Sequence, residues 1–205
     1  LLQKFVRQCA IGRVLDMGTG SGIQGLTAIE VPSVREVVAV DSNPKAVEAL
    51  NAEIEKRKLR KIKARQGDLF EHLEGSFNVI IFNPPYLPQD KGIEDAALYG
   101  GKKGWEISER FFRDASSHMF PEGVILFLFS SLTKKQKIEE ILEHNLLQWQ
   151  ELDEEKVAFE TLYVYKITKT PLLRQLEGKL LRNVHYFAEG KRGIVYTAQF
   201  DKSLV

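Results

Sequence analysis

Apolar positions in this chain follow two periods. The runs RVLD (13–16), EVVAVD (36–41), NVIIFN (78–83) and VILFLF (124–129) show no polar alternation and read as strands buried on both faces. Weaker runs at 62–66 and 161–167 (TLYVYKI) bring the predicted strands to six. Between them the period turns helical. Residues 22–30 read as one helix. Ala46, Val47, Leu50 and Ile54 form the stripe of a second, capped by Ser42 or Asn43 with Pro44 in its first turn. Residues 106–119 place Ile107, Phe111, Phe112, Ala115 and Met119 on one face, and 133–144 continue the pattern after a turn at 121–123 (PEG). Strands alternating with helices predict a doubly wound, mostly parallel α/β sheet wrapped on both faces.

The ends of these runs carry the chemistry. MGTGSG (17–22) follows the first strand, and GSGIQG (20–25) matches the dinucleotide pattern G-x-G-x-x-G, with Asp41 lying 21 residues after Gly20. That pattern alone is weak, because glycine turns between strand and helix are common. Asp16 changes its meaning: a carboxylate beside the glycines repels a pyrophosphate and welcomes an ammonium group. Asp68, in GDLF (67–70), is expected at the same sheet edge, where open α/β sheets bind ligands. Three acids around a glycine turn suit S-adenosyl-L-methionine, which carries an ammonium, a sulfonium and ribose hydroxyls but no phosphate.

The run VIIF stops at NPPY (83–86). Pro84 and Pro85 donate no hydrogen bond, so the ladder must end there. An amide or aromatic amine is a poor nucleophile, because its lone pair is delocalised. Asn83 cannot act as a base, but its side-chain oxygen and the Pro84 carbonyl can accept the two N–H bonds of such a nitrogen. Tyr86 can stack on its flat face, and the prolines hold the acceptors in place. The simpler account is a rigid turn after a buried strand; the upstream acids weigh against it. For Tyr99 and Trp105, loop packing and substrate contact stand about even.

DMGTGSG, VDSNP, GDLF and FNPPY, in this order, resemble class I S-adenosylmethionine-dependent methyltransferases, and the resemblance spans residues 10–170. NPPY followed by ALYGGKKGWEISERFF (97–112) and ETLYVYKITK (160–169) is similar to the HemK-type protein-glutamine methyltransferases, above all their archaeal and eukaryotic branch. NPPY is shared with enzymes that methylate amino groups of DNA and RNA; the Gly100–Gly104 turn narrows the likeness. The resemblance implies a seven-stranded sheet and Asn83, Pro84, Pro85 and Tyr86 as catalytic residues. It implies Asp16, Gly18, Gly20, Gly22, Asp41, Ser42, Asp68, Leu69 and Asn83 as cofactor contacts. The implied acceptor is the glutamine of a Gly-Gly-Gln loop in a class-1 translation release factor. The implied partner is a small zinc-binding activator that covers apolar surface near the third strand. The alternative is a DNA or RNA amino methyltransferase acting on adenine N6 or guanine N2.

Composition trims these options. A 205-residue chain at 43% hydrophobic content builds one full core, and a formal net charge of +1 gives no global pull toward nucleic acid or membrane. Basic charge concentrates in NAEIEKRKLRKIKAR (51–65), read first as a solvated helix face and second as a docking patch for RNA or an acidic partner. One cysteine, Cys9, excludes an internal disulfide and fits a reducing, cytoplasmic setting. His72, His118, His144 and His185 lack metal-ligand spacing, so no metal is expected. The chain opens on Leu1, which implies an upstream piece. Pro171 marks a boundary, so residues 1–170 are expected to form the methyltransferase domain and 171–205 an extension. YFAEGKRGIVYTA (186–198) faintly resembles a protein-kinase glycine-rich loop, with Ala188 where the first glycine would stand. The extension is read as a β-hairpin first and as the start of a kinase-like domain second.

Overall fold

A computed structural model describes residues 1–87, 100–179, 181–190 and 193–200. Helix α1 (Leu2–Cys9), strand β1 (Gly12–Met17) and helix α2 (Ile23–Ile29) open the fold. They are followed by β2 (Val34–Asp41), α3 (Pro44–Lys56), β3 (Ile62–Gln66) and β4 (Phe77–Phe82). Then come α4 (Glu106–Ala115), β5 (Met119–Ser130), α5 (Lys135–His144), β6 (Leu147–Val157) and β7 (Glu160–Lys169). One seven-stranded sheet results, in the order β3-β2-β1-β4-β5-β7-β6. Strands β1 to β5 run parallel, β7 runs antiparallel to β5, and β6, antiparallel to β7, runs with the first five. This is the doubly wound class expected of the sequence.

The unbroken runs are the central strands because helices cover both their faces. Val14, Leu15, Ile80, Ile81 and Leu126 are fully buried. On one side Phe82, Phe111, Phe112, Phe127 and Phe129 pack as a chain of rings, with Phe82 and Phe111 stacked at 4.0 Å between centroids. On the other side Leu2, Phe5 and Val6 of α1 pack with Val37, Val79 and Ile81.

Several elements differ from expectation. The helix predicted over 106–119 stops at Ala115; a single 3-10 turn, Ser116–His118, leads into β5, so Met119 is a strand residue. The turn at 121–123 is a bulge within β5: Phe77 pairs with Met119 and Val79 with Val124. Strand β6 and helix α1 were not anticipated. Past Pro171 the chain stays against the core. Helix α6 (Pro171–Gly178) buries Leu173, and the hairpin of β8 (Leu181–Gly190) and β9 (Gly193–Phe200) adds Val184 to the same apolar cluster. Lys169, 2% exposed, donates from Nζ to Glu177 at 2.6 Å and to the Met119 carbonyl at 3.0 Å, tying α6 to the sheet.

Candidate active site

Strand register brings the chemistry together. Met17 pairs with Val40 and with Phe82, and Asp41 pairs with Gln66. Gly18, Asp41, Gly67-Asp68 and Asn83 therefore leave the sheet at one level, the carboxyl edge. There they line a cleft of about 760 Å³ with Gly20, Ser42, Leu69, Pro84, Pro85, Tyr86, Ile107 and Glu160.

The glycine turn is held by acids. Gly20, at φ +51°, turns its N–H to Asp41 Oδ2 at 2.7 Å, a backbone shape that an L side chain resists. Asp41 Oδ1 accepts from the Asn43 N–H at 2.9 Å. Capping α3 falls to Asn43, whose side chain accepts from the Lys45 N–H, so Asp41 keeps its remaining lone pairs toward the cleft.

Asp16 behaves differently from expectation. It is 2% exposed and lies beneath the turn, outside the cleft lining. Its Oδ2 accepts from Thr19 Oγ1 at 2.6 Å and from the Gly25 N–H at 2.8 Å. Burial pushes its carboxyl up to about 6, while those two bonds pull the other way and nearby Asp41 adds to the rise. It shapes the turn and contributes field without offering a free surface. Gly22 is likewise a packing residue, for a Cβ there would meet Leu50 Cδ1 at 2.5 Å.

Asp68 is paired: its Oδ2 accepts from Arg110 Nη2 at 2.6 Å, in a half-exposed ion pair. Leu69 beside it adopts φ +52°, a sparsely populated shape that holds this corner of the cleft. Asn83 is exposed at the end of β4 and Pro84 is buried. The 100–104 turn backs this loop. Gly100 donates to the Leu87 carbonyl at 3.0 Å, and a Cβ on Gly100 would stand 2.5 Å from the Pro85 carbonyl oxygen. Trp105 lies outside the cleft lining; it packs against the aromatic cluster with the ammonium groups of Lys103 and Lys134 over its ring. Tyr99 falls outside the described residues.

One cleft residue was not anticipated. Glu160 opens β7, and its Oε1 lies 3.5 Å from the Tyr86 hydroxyl. Burial, and then Glu160, raise the Tyr86 phenol above its ordinary value. The signal was the acid that begins ETLYVYKITK, read only as the start of a strand.

Residues 1–162 match the family described as the methyltransferase small domain. This chain belongs to that family. A relative from Methanocaldococcus jannaschii, provisionally named protein N5-glutamine methyltransferase, is 37% identical over 131 residues, covering 60% of this chain and 64% of the relative. A release factor glutamine methyltransferase of Deinococcus radiodurans is 34% identical over 125 residues, covering 56% and 44%. The methyltransferase small domain chain thus spans 64% and 44% of the length of these two curated relatives. Among solved structures, the E. cuniculi Mtq2–Trm112 complex, responsible for methylation of the eRF1 translation termination factor, is similar with a TM-score of 0.66 and 26% identity, covering 82% of this chain and 93% of that one.

Class I methyltransferase membership implies S-adenosylmethionine as methyl donor. The cleft fits that molecule: beside the glycine turn its lining holds the carboxylates of Asp41 and Asp68 and, among the described residues, no lysine or arginine. A cationic ligand is favoured there and a phosphate disfavoured.

Proposed function

We propose that this domain methylates a planar nitrogen with S-adenosylmethionine, and that the acceptor is the glutamine amide of a Gly-Gly-Gln loop in a class-1 release factor. The observation that carries the proposal is Asn83-Pro84-Pro85-Tyr86 standing at the rim of an acid-lined cleft, whose described lining holds no lysine or arginine, level with the glycine turn. The donor supplies an electrophilic methyl group. The Asp41 carboxylate binds the ribose hydroxyls, and Gly18 and Gly20 allow close backbone approach. Ser42 and Leu69 border the same pocket, and Asp68 adds a further acceptor. Asn83 Oδ1 and the Pro84 carbonyl accept the two N–H bonds of the amide, and Tyr86 covers its face. Orientation is the main gain, worth up to ~7–11 kcal/mol in the best intramolecular cases. The amide nitrogen would gain the methyl group as that group's bond to the sulfonium sulfur breaks, leaving a neutral thioether, and would release a proton to solvent.

Likeness to Mtq2 extends the proposal to a small activator subunit of the Trm112 kind, seated along β3. Strand β3 ends the sheet, so its outer backbone faces no other strand among the described residues. A cytoplasmic setting follows from such a substrate.

The deciding experiment offers labelled S-adenosylmethionine with release factor, tRNA and DNA side by side. Label on the release-factor glutamine, located by peptide mass, is the expected outcome. Robust labelling of RNA or DNA with none on the factor would overturn the proposal.

A further inference from the structure

Glu160 owes its place to topology. Because β7 runs antiparallel to β5, with Ser130 against Leu162, the start of β7 reaches the carboxyl edge where β4 ends at Phe82. Glu160 therefore faces the NPPY loop from across the cleft. Among the described residues, neither oxygen of its carboxylate is saturated. Oε1 is 3.5 Å from the Tyr86 hydroxyl, well beyond the ~2.5–3.0 Å of a strong O–H···O bond. Oε2 is buried and has no hydrogen-bond partner among the described residues. Buried acceptors are nearly always paired, so an orphan at a cleft wall marks a place for a donor that arrives with a ligand.

The surroundings select the kind of ligand. Glu154 and Glu155 on β6 pair with Tyr163 and Leu162 of β7, two to three positions from Glu160. Of the other acids on β6, Glu151 is paired with Lys135 and Asp153 with Lys4; Lys156 stands beside Glu155. This edge repels a phosphate backbone and accepts amide or cationic N–H groups. At the β6–β7 tip, Val157 and Phe159 are exposed, Phe159 at 95%. An aromatic ring offered at the rim of a site is the sort of anchor that polypeptide interfaces bury.

We propose that Glu160 is a specificity-determining residue of the acceptor site: its free carboxylate oxygen accepts an N–H of the acceptor polypeptide next to the target side chain. The proposal rests on the glutamine-methylation reading above, in which Asn83 and Pro84 already take the N–H bonds of the target amide. The donor on the acceptor is therefore a flanking backbone N–H or a neighbouring lysine or arginine.

The test uses a synthetic peptide centred on Gly-Gly-Gln and the variants Glu160→Gln and Glu160→Ala. Glu160→Ala should raise the peptide KM roughly tenfold or more, the size of a lost charge-assisted bond, with cofactor affinity and thermal midpoint unchanged. Glu160→Gln, which keeps an acceptor and loses the charge, should fall between. Peptides in which single flanking amides are replaced by esters, or single basic side chains by neutral ones, then identify the donor. One replacement should weaken the wild type by the same factor and leave Glu160→Ala unaffected, the non-additivity of a shared contact. Ester and side-chain arms separate the two sources. An unchanged KM in Glu160→Ala, on a peptide the wild type methylates, overturns this inference alone. Parallel loss of cofactor affinity, or strict additivity with every replacement, also overturns it. A wild type that methylates neither peptide nor release factor overturns the glutamine reading and this inference together.

Discussion

Asn83 stands exposed beyond β4, where its amide can touch an acceptor nitrogen without bearing on the glycine turn. Asn83→Ala should leave cofactor affinity nearly intact and lower kcat at least a hundredfold, the scale of lost positioning; titration calorimetry beside single-turnover kinetics checks both halves. Asp41→Ala should weaken cofactor binding more than Asp68→Asn. Asp41 also holds Gly20 and Asn43, and each charge-assisted bond is worth about 1.5–3 kcal/mol, whereas Asp68 already spends an oxygen on Arg110. Equal affinities would remove Asp41 from the ribose. Asp16 makes a pH prediction. Its folded value of about 6 lies above the ordinary 3.8, so between these limits the folded chain holds a proton that the unfolded chain has released. Its contribution is full below pH 3.8 and lost as pH rises past 6, a change of ~3 kcal/mol at most. Asp16→Asn should therefore raise the urea midpoint at pH 8 and barely shift it at pH 4. Residue identity pointed to the acids at the sheet edge, but not to Asp16 turning inward. Its burial follows from the Thr19 and Gly25 donors, which close on it only when the turn folds.

At the scale of elements, Gly22 shows how tightly the turn is fitted to its neighbours. It sits at φ +78° with Leu50 of α3 in the space a Cβ would need. Gly22→Ala should cost ~1–3 kcal/mol by overpacking, seen as a lower denaturant midpoint, and should weaken the cofactor with it. The buried parallel strands were legible because burial on both faces leaves a continuous apolar run. Strand β6 was not, since it ends the sheet beside β7 and its residues 151–155, ELDEE, obey solvent on much of their surface. Without β6, the antiparallel entry of β7 could not be inferred, and so neither could the approach of Glu160 to Tyr86. The NPPY loop, by contrast, announced itself, because prolines after an apolar run have few structural uses.

Across the whole molecule, charge is sorted by sheet edge. Helix α3 leaves the cleft at Pro44 and delivers the 56–61 part of the basic cluster to the opposite end, ~20 Å away for a 13-residue helix, before β3 runs back. Part of that cluster serves the fold: Lys61 Nζ donates to the Val34 carbonyl and Arg65 Nη1 to that of His72. Neutralising Lys58 and Arg60 should leave release-factor methylation unchanged across a salt series, whereas an enzyme holding nucleic acid there would lose affinity and salt slope together. The sheet's reversal of direction divides the cleft between two lineages of change. Donor-side groups come from the ends of parallel strands, of which β1 and β2 are locked by neighbours on both sides, so alterations on those two are felt by the turn. The far wall comes from the tip of a hairpin, where Phe159 is exposed and Val157 and Glu160 form the last pair of the ladder. A fold built this way holds the glycine-turn side firmly and leaves the hairpin side more open to change. With Glu160 on the acceptor side as proposed, substitutions at that one hairpin tip should change which polypeptide is accepted while the residues of the glycine turn stay as they are.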